Sequence, residues 1–144
     1  MIYLQQGSLN NQALVTCSRN KSLTGAVTYL WTVRHKLSQQ TARFIPYREP
    51  SLAVGYEPSK DLFYVSIDDS LPEVLIGSAG NNVNIHLIPG EWYLKIYEQY
   101  STTNLLPSQS YDVVYEGMLI VETDSPIGTL NYTGTTESVI IYQN

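Results

Sequence analysis

The chain has 144 residues, enough for one domain with a buried core of its own. Apolar residues make up 43%, charged residues only 15%, and the formal net charge is −5. That balance excludes a broadly disordered chain and argues against bulk nucleic-acid binding, which needs a basic surface to neutralise phosphates.

The predicted elements are strands. Helical periodicity is weak throughout, and the best stretches alternate with period two and are rich in Val, Ile, Tyr, Trp and Thr. An opening strand covers Ile2–Leu4. The next covers Ala13–Ser18, with Ala13, Val15 and Cys17 on one face. Val27–His35 follows, with Tyr29, Trp31, Val33 and His35 on one face and Thr28, Leu30, Thr32 and Arg34 on the other. Short runs lie near Arg43–Ile45 and Ala53–Tyr56, where Pro46, Pro50 and Pro58 argue against long central strands. Leu62–Ile67, Val74–Ile76 and Val83–Ile88 come next. The cleanest strand is Glu91–Gln99, in which Trp92, Leu94 and Ile96 alternate with Glu91, Tyr93, Lys95 and Tyr97. Tyr111–Glu122 is long, and Gly117 at its middle is the expected place for a bulge. Leu130–Thr133 and Ser138–Tyr142 close the chain. Turn chemistry separates these runs at Thr24-Gly25, Gly80-Asn81-Asn82 and Pro89-Gly90, and Ser101–Ser110 reads as a polar loop. Eight or more short strands at this spacing predict an all-β, antiparallel sandwich. It forms one domain over residues 1–144, with room for a short N-terminal arm over 1–11.

No apolar run approaches the ~20 residues of a membrane-spanning helix, and no basic N-terminus with an apolar core reads as a signal peptide. The single cysteine cannot form an internal disulfide. Ser, Thr, Asn and Gln fill 43 positions, so the surface is expected to be mostly neutral and polar. Twelve tyrosines stand against two phenylalanines and two tryptophans. Charge is unevenly spread. Residues 1–60 carry a net +5 and residues 61–144 a net −10. Either the fold interleaves the two halves, or one end of the domain is basic and the other acidic, which suits head-to-tail contact with copies of itself or contact with an oppositely charged partner.

Cys17, Trp31 fourteen residues later and the tyrosine-rich Glu91–Tyr97 strand resemble strands B, C and F of an immunoglobulin-like domain. In that architecture a buried Trp on strand C packs against a B–F disulfide. The F-strand cysteine is missing here, and the resemblance implies apolar packing in its place, with Ile96 near its position. The stretches Tyr29-Leu30-Trp31, Pro89-Gly90-Glu91-Trp92-Tyr93 and Tyr115-Glu116-Gly117 also resemble structural β-sandwich proteins of tailed bacteriophages, the crAss-like group among them. That resemblance implies a virion protein made in the bacterial host cytoplasm.

Candidate chemistry is sparse. His35 and His86 lack a second cysteine or an H-x-x-x-H spacing and read as structural. Asp68-Asp69-Ser70 with Glu73 is the one acidic turn; calcium or acid–base chemistry there competes with an ordinary β-turn. Cys17 sits in an apolar strand and reads as an inert thiol. No nucleophile elbow, phosphate loop or dinucleotide fingerprint occurs, and Gly77–Gly80 lacks the helix a phosphate cradle needs. The expectation is a non-enzymatic protein without catalytic residues, cofactor or metal. Its function is that of an auxiliary or decoration component of a phage capsid, or of another head or tail part. Its partners are other virion proteins or copies of itself, with no nucleic acid and no membrane. The expected contact residues are the basic group Arg34, Lys36, Arg43 and Arg48, facing an acidic surface, and the tyrosines Tyr93, Tyr97 and Tyr100. The alternative is a carbohydrate- or receptor-binding module that stacks a glycan on those tyrosines.

Overall fold

The computed structural model describes residues 1–49 and 60–123. Their strands, in chain order, are β1 (Ile2–Gln5), β2 (Asn11–Val15), β3 (Thr28–His35), β4 (Thr41–Phe44), β5 (Tyr47–Arg48), β6 (Asp61–Ser66), β7 (Val83–Asn84), β8 (Gly90–Gln99) and β9 (Asp112–Glu122). Among the described residues there is no α-helix, only single 3-10 turns at Ser18–Asn20 and Pro107–Gln109. The strands form two sheets, one ordered β1-β9-β8-β3-β4 and one ordered β2-β6-β5 with β7 also beside β6. The expected all-β class is therefore observed.

Two pairings depart from a purely antiparallel plan. β1 lies parallel to β9, and β7 parallel to β6. No tight hairpin links either pair in sequence, so nothing forces the antiparallel direction. The segment expected as a strand at Val74–Ile76 makes only isolated bridges, Ile45 with Ile76 and Val74 with Asn84. Val83–Ile88 shortens to two paired residues, although Ile85 and Leu87 stay buried. The runs at Ala53–Tyr56, Leu130–Thr133 and Ser138–Tyr142 lie outside the described residues.

The bulge in β9 is not at Gly117. The register with β8 shifts between Ile96, opposite Tyr115, and Tyr97, opposite Val113, which leaves Val114 as the extra residue. Val114 and Tyr115 consequently both turn toward the core. Gly117 stays in register opposite Leu94, and a Cβ there would stand 2.7 Å from the Tyr115 hydroxyl. The glycine makes room for that ring.

One apolar core lies between the sheets, supplied by Ile2 and Leu4 of β1, Ala13 and Val15 of β2, Phe63 and Val65 of β6, and the inward residues of β3, β8 and β9. Trp31 and Trp92 are fully buried. The Trp31 ring centroid lies 5.1 Å from that of Phe63 on the other sheet and 5.8 Å from that of Phe44. Each ring of this kind removes ~150–250 Å² from water, a gross gain of ~4–6 kcal/mol at ~25 cal/mol per Å².

Candidate functional site

Alternation along β3, β4, β8 and β9 puts a second set of side chains on the opposite, outer face of the five-stranded sheet. Register arranges them in rows. Arg43, Thr32, Lys95 and Glu116 are neighbours across four strands. Beside them run Thr41, Arg34, Tyr93 and Met118. Glu91, Ile120 and Tyr3 form the next row. The face thus gathers cations over β4, β3 and the adjoining Lys95 of β8, while β8, β9 and β1 add Tyr93, Met118, Ile120 and Tyr3 together with the acids Glu91 and Glu116.

The Arg34 guanidinium lies 4.7 Å from the Tyr93 ring centroid and the Lys36 ammonium 5.5 Å from it. Both distances are in cation–π range. Lys36 also pairs with Glu91 at 2.9 Å. The hydrogen bond to Glu91, then its charge, raises the Lys36 pKa above the ordinary lysine value. Arg34 donates to the Gln39 side-chain oxygen at 2.6 Å. Gln39 holds a positive φ of 64° in the β3–β4 turn, where its N–H bonds back to the His35 carbonyl. Arg34, Arg43 and Lys95, with Thr32, Thr41, Tyr93 and Pro107, line a groove of about 260 Å³. Pro107 comes from the connection between β8 and β9. That polar loop is ordered by side-chain amides: Gln99 donates to the Ser101 and Asn104 carbonyls, and Asn104 and Ser110 donate back to the Gln99 side-chain oxygen.

Three of the four expected basic residues, Arg34, Lys36 and Arg43, therefore share one face. Arg48 does not. The chain crosses to the second sheet between β4 and β5, at Ile45-Pro46, and carries Arg48 with it. There its Nε donates to the Asp61 carboxylate at 2.8 Å, and its guanidinium lies 5.9 Å from the Tyr29 ring centroid. Asp61 is buried and also accepts the N–H groups of Cys17 and Ser18 at 3.0 and 2.7 Å. Burial alone would push its carboxyl up. The Ser18 N–H, the Arg48 guanidinium and the Cys17 N–H outweigh it and hold the carboxyl below the ordinary value. Arg48 thus fastens the sheet. Lys95 takes its place on the outer face; sequence reading put it on the right face of its strand but could not show that β8 lies beside β3.

Tyr93 is 43% exposed, Tyr97 half-buried on the same face, and Tyr100 57% exposed just past the end of β8. No ring contact joins the three among the described residues.

The other titratable groups hold backbone. His35 is buried against Trp92; its Nδ1 accepts the Ser38 N–H, which leaves Nε2 to donate to the Pro89 carbonyl. The His86 Nε2 meets the Leu71 carbonyl at 2.7 Å, and Glu73 accepts the His86 N–H. Asp68 accepts the Ser70 hydroxyl and N–H in an Asx turn, and these bonds lower its pKa. Glu98, also buried, accepts the N–H groups of Ser22 and Leu23. Burial pushes the Cys17 thiol well above its ordinary range. Among the described residues no group of three or more His, Cys, Asp or Glu side chains is placed to hold a metal ion. None of their helices is long and apolar enough to cross a membrane. Sequence reading missed Asn84, whose buried amide accepts from Ser66 and Asp68 and donates to the carbonyls of Asp68, Leu71 and Pro72.

Comparison with family models, curated proteins and solved structures finds no match to this chain.

Proposed function

We propose that the chain is a non-enzymatic structural module that acts by protein–protein contact through the outer face of its five-stranded sheet. The observation that carries this reading is the makeup of that face. Exposed Tyr93, Tyr3 and half-buried Met118 and Ile120 adjoin a cluster of cations, on a sheet whose other face already fills the core. Aromatic residues, Met and Arg are the side chains enriched at protein interfaces. The buried ionisable groups Asp61, Glu98 and His35 are engaged by backbone N–H and carbonyl groups, which suits scaffold rather than reaction.

The fold we propose is an immunoglobulin-like sandwich without a disulfide. Its support is strand order: β9-β8-β3-β4 follows the G-F-C-C′ order of a variable-type sheet, with β2 and β6 as B and E opposite. Trp31 lies on the strand that corresponds to C, directly across from Ile96 on the one that corresponds to F. The placement in a phage virion, as a capsid decoration or another head or tail component, rests on the sequence resemblance alone. A glycan-stacking module is the less favoured reading. Two cations already lie over the Tyr93 ring and Tyr97 is half-buried, so the tyrosines do not offer a free stacking platform.

Light scattering of the chain alone and mixed with solubilised particle proteins tests the reading. The expected result is a defined complex that Tyr93→Asp with Ile120→Asp abolishes while circular dichroism is unchanged. Glycan binding that is lost when Tyr93, Tyr97 and Tyr100 become alanine would overturn it.

A further inference from the structure

We infer that the groove between β4, β3 and β8 is a carboxylate-binding site for an acidic segment of a partner protein. The inference rests on the outer face being a contact surface and names the chemistry of what meets it. Three cations from three adjacent strands converge on the groove: Arg43 from β4, Arg34 from β3 and Lys95 from β8. Among the described residues no carboxylate lines it. Among the described residues, the ion pairs are Lys36 with Glu91 and Arg48 with Asp61, so Arg34, Arg43 and Lys95 have no ionic partner. Glu116 is the cross-strand neighbour of Lys95 but forms no ion pair with it. The hydroxyls of Thr32 and Thr41 flank the cations; that of Thr32 donates to the Lys95 carbonyl, and the Thr41 side chain is exposed.

The rest of the molecule makes this concentration of positive charge informative. The chain carries a net charge of −5, so an acidic ligand is repelled by the molecule as a whole and gains only at a local basic site. Arg34 is held in place from two sides, by the Tyr93 ring and by the Gln39 side chain. A guanidinium fixed in this way loses less freedom when it binds, and its planar fork matches a carboxylate. The groove is about 260 Å³, room for one or two acidic side chains rather than for a folded surface. An extended acidic peptide fits that chemistry better than a sugar, because the Tyr93 ring a pyranose would stack on already has Arg34 and Lys36 within cation–π distance.

The test is an NMR titration of the full chain with a hexaglutamate peptide, with hexalysine, and with a tri-galacturonate as the anionic sugar. The expected result is saturable shifts of the Arg34, Arg43 and Lys95 amides with hexaglutamate only. They should fade as salt is raised and weaken at least ~10-fold in the Arg43→Gln, Lys95→Gln double variant. Both residues are exposed and form no ion pair among the described residues, so the variant should keep the wild-type spectrum elsewhere. Undiminished hexaglutamate binding by the double variant would overturn the site. Tighter binding of tri-galacturonate would replace the peptide with a sugar. Self-association without peptide that the double variant abolishes would place a second copy there and overturn the assignment to another chain. A double variant that still forms the particle complex, while hexaglutamate shifts nothing, would sink this inference and leave the broader contact face standing.

Discussion

On β8 the inward Trp92, Leu94 and Ile96 are at most 1% exposed, whereas Tyr93 between them is 43% exposed. The same contrast runs across the sheet. β3 sends Trp31 and Val33 inward and Thr32 and Arg34 outward; β4 sends Phe44 inward and Arg43 outward. A single backbone therefore supports two surfaces with different work to do. The inner one is fixed by packing, where each methylene matters. The outer one is set mainly by charge and register, apart from the fully buried Leu30, and its exposed positions are expected to tolerate change. Arg48 and Arg43 make the same point in one residue type. Arg48 is bonded to a buried carboxylate on one sheet; Arg43, exposed on the other, forms no ion pair among the described residues.

The contrast can be broken most sharply at Trp31. Trp31→Ala should lower the unfolding free energy by ~3–5 kcal/mol in a denaturant titration. A change of a few tenths would mean that the inner face is not the core. Next comes Asp61→Asn, which leaves Arg48 without its carboxylate. It should cost ~2–4 kcal/mol, below the full effect of a buried pair because Arg48 reaches solvent. It should also flatten the acid limb of stability. The folded carboxyl titrates below its unfolded value, so its contribution is present above about pH 4 and is lost as pH falls through the folded pKa. Wild-type stability that stays flat below pH 4 would contradict this.

The alkaline limb has the opposite sign. Burial, then the charge of Asp61, raises Tyr29 to about 12 from 10.0, and burial raises Cys17 as well. Both groups stay protonated in the fold while the unfolded chain ionises. Their contribution is whole below about pH 9 and falls as pH climbs toward 12. Urea midpoints measured across that range check it.

Gly90→Ala probes the seam between core and turn. Gly90 has a φ of +128°, and a Cβ there would stand 2.6 Å from His35 Nε2. The substitution should cost ~1–3 kcal/mol, read as a lowered melting temperature. The smallest effect belongs to the outer face. Arg43→Gln and Lys95→Gln should each move the unfolding free energy by less than ~0.5 kcal/mol. A larger loss would show that these cations hold the fold and not a partner.

Much of the inner face was legible in the sequence. The alternation of Trp92, Leu94 and Ile96, and of Tyr29, Trp31, Val33 and His35, picked out residues that are buried, although Leu30, set on the opposite face of β3, is fully buried as well. Period two is a local property and survives in any sheet order. What the sequence did not show depended on distant neighbours. Arg48 grouped with Arg43 by proximity in the chain, but Ile45-Pro46 carries it to the other sheet. Lys95 joined the cations only because β8 pairs with β3. The bulge at Val114 arises from register against β8, while Gly117, the residue that advertised one, answers to the Tyr115 ring. Asn84 fell within the expected strand Val83–Ile88 with no sign of its role, and it gathers five side-chain hydrogen bonds that close the loop after β6.

Hydroxyl-radical footprinting of the chain free in solution and bound in purified particles tests the contact face most directly. The account predicts that Tyr3, Tyr93 and Met118 lose reactivity on binding while Leu71, on the second sheet's side, keeps its own. Unchanged reactivity at Tyr93 and Met118 in the bound state, with protection elsewhere, would contradict it.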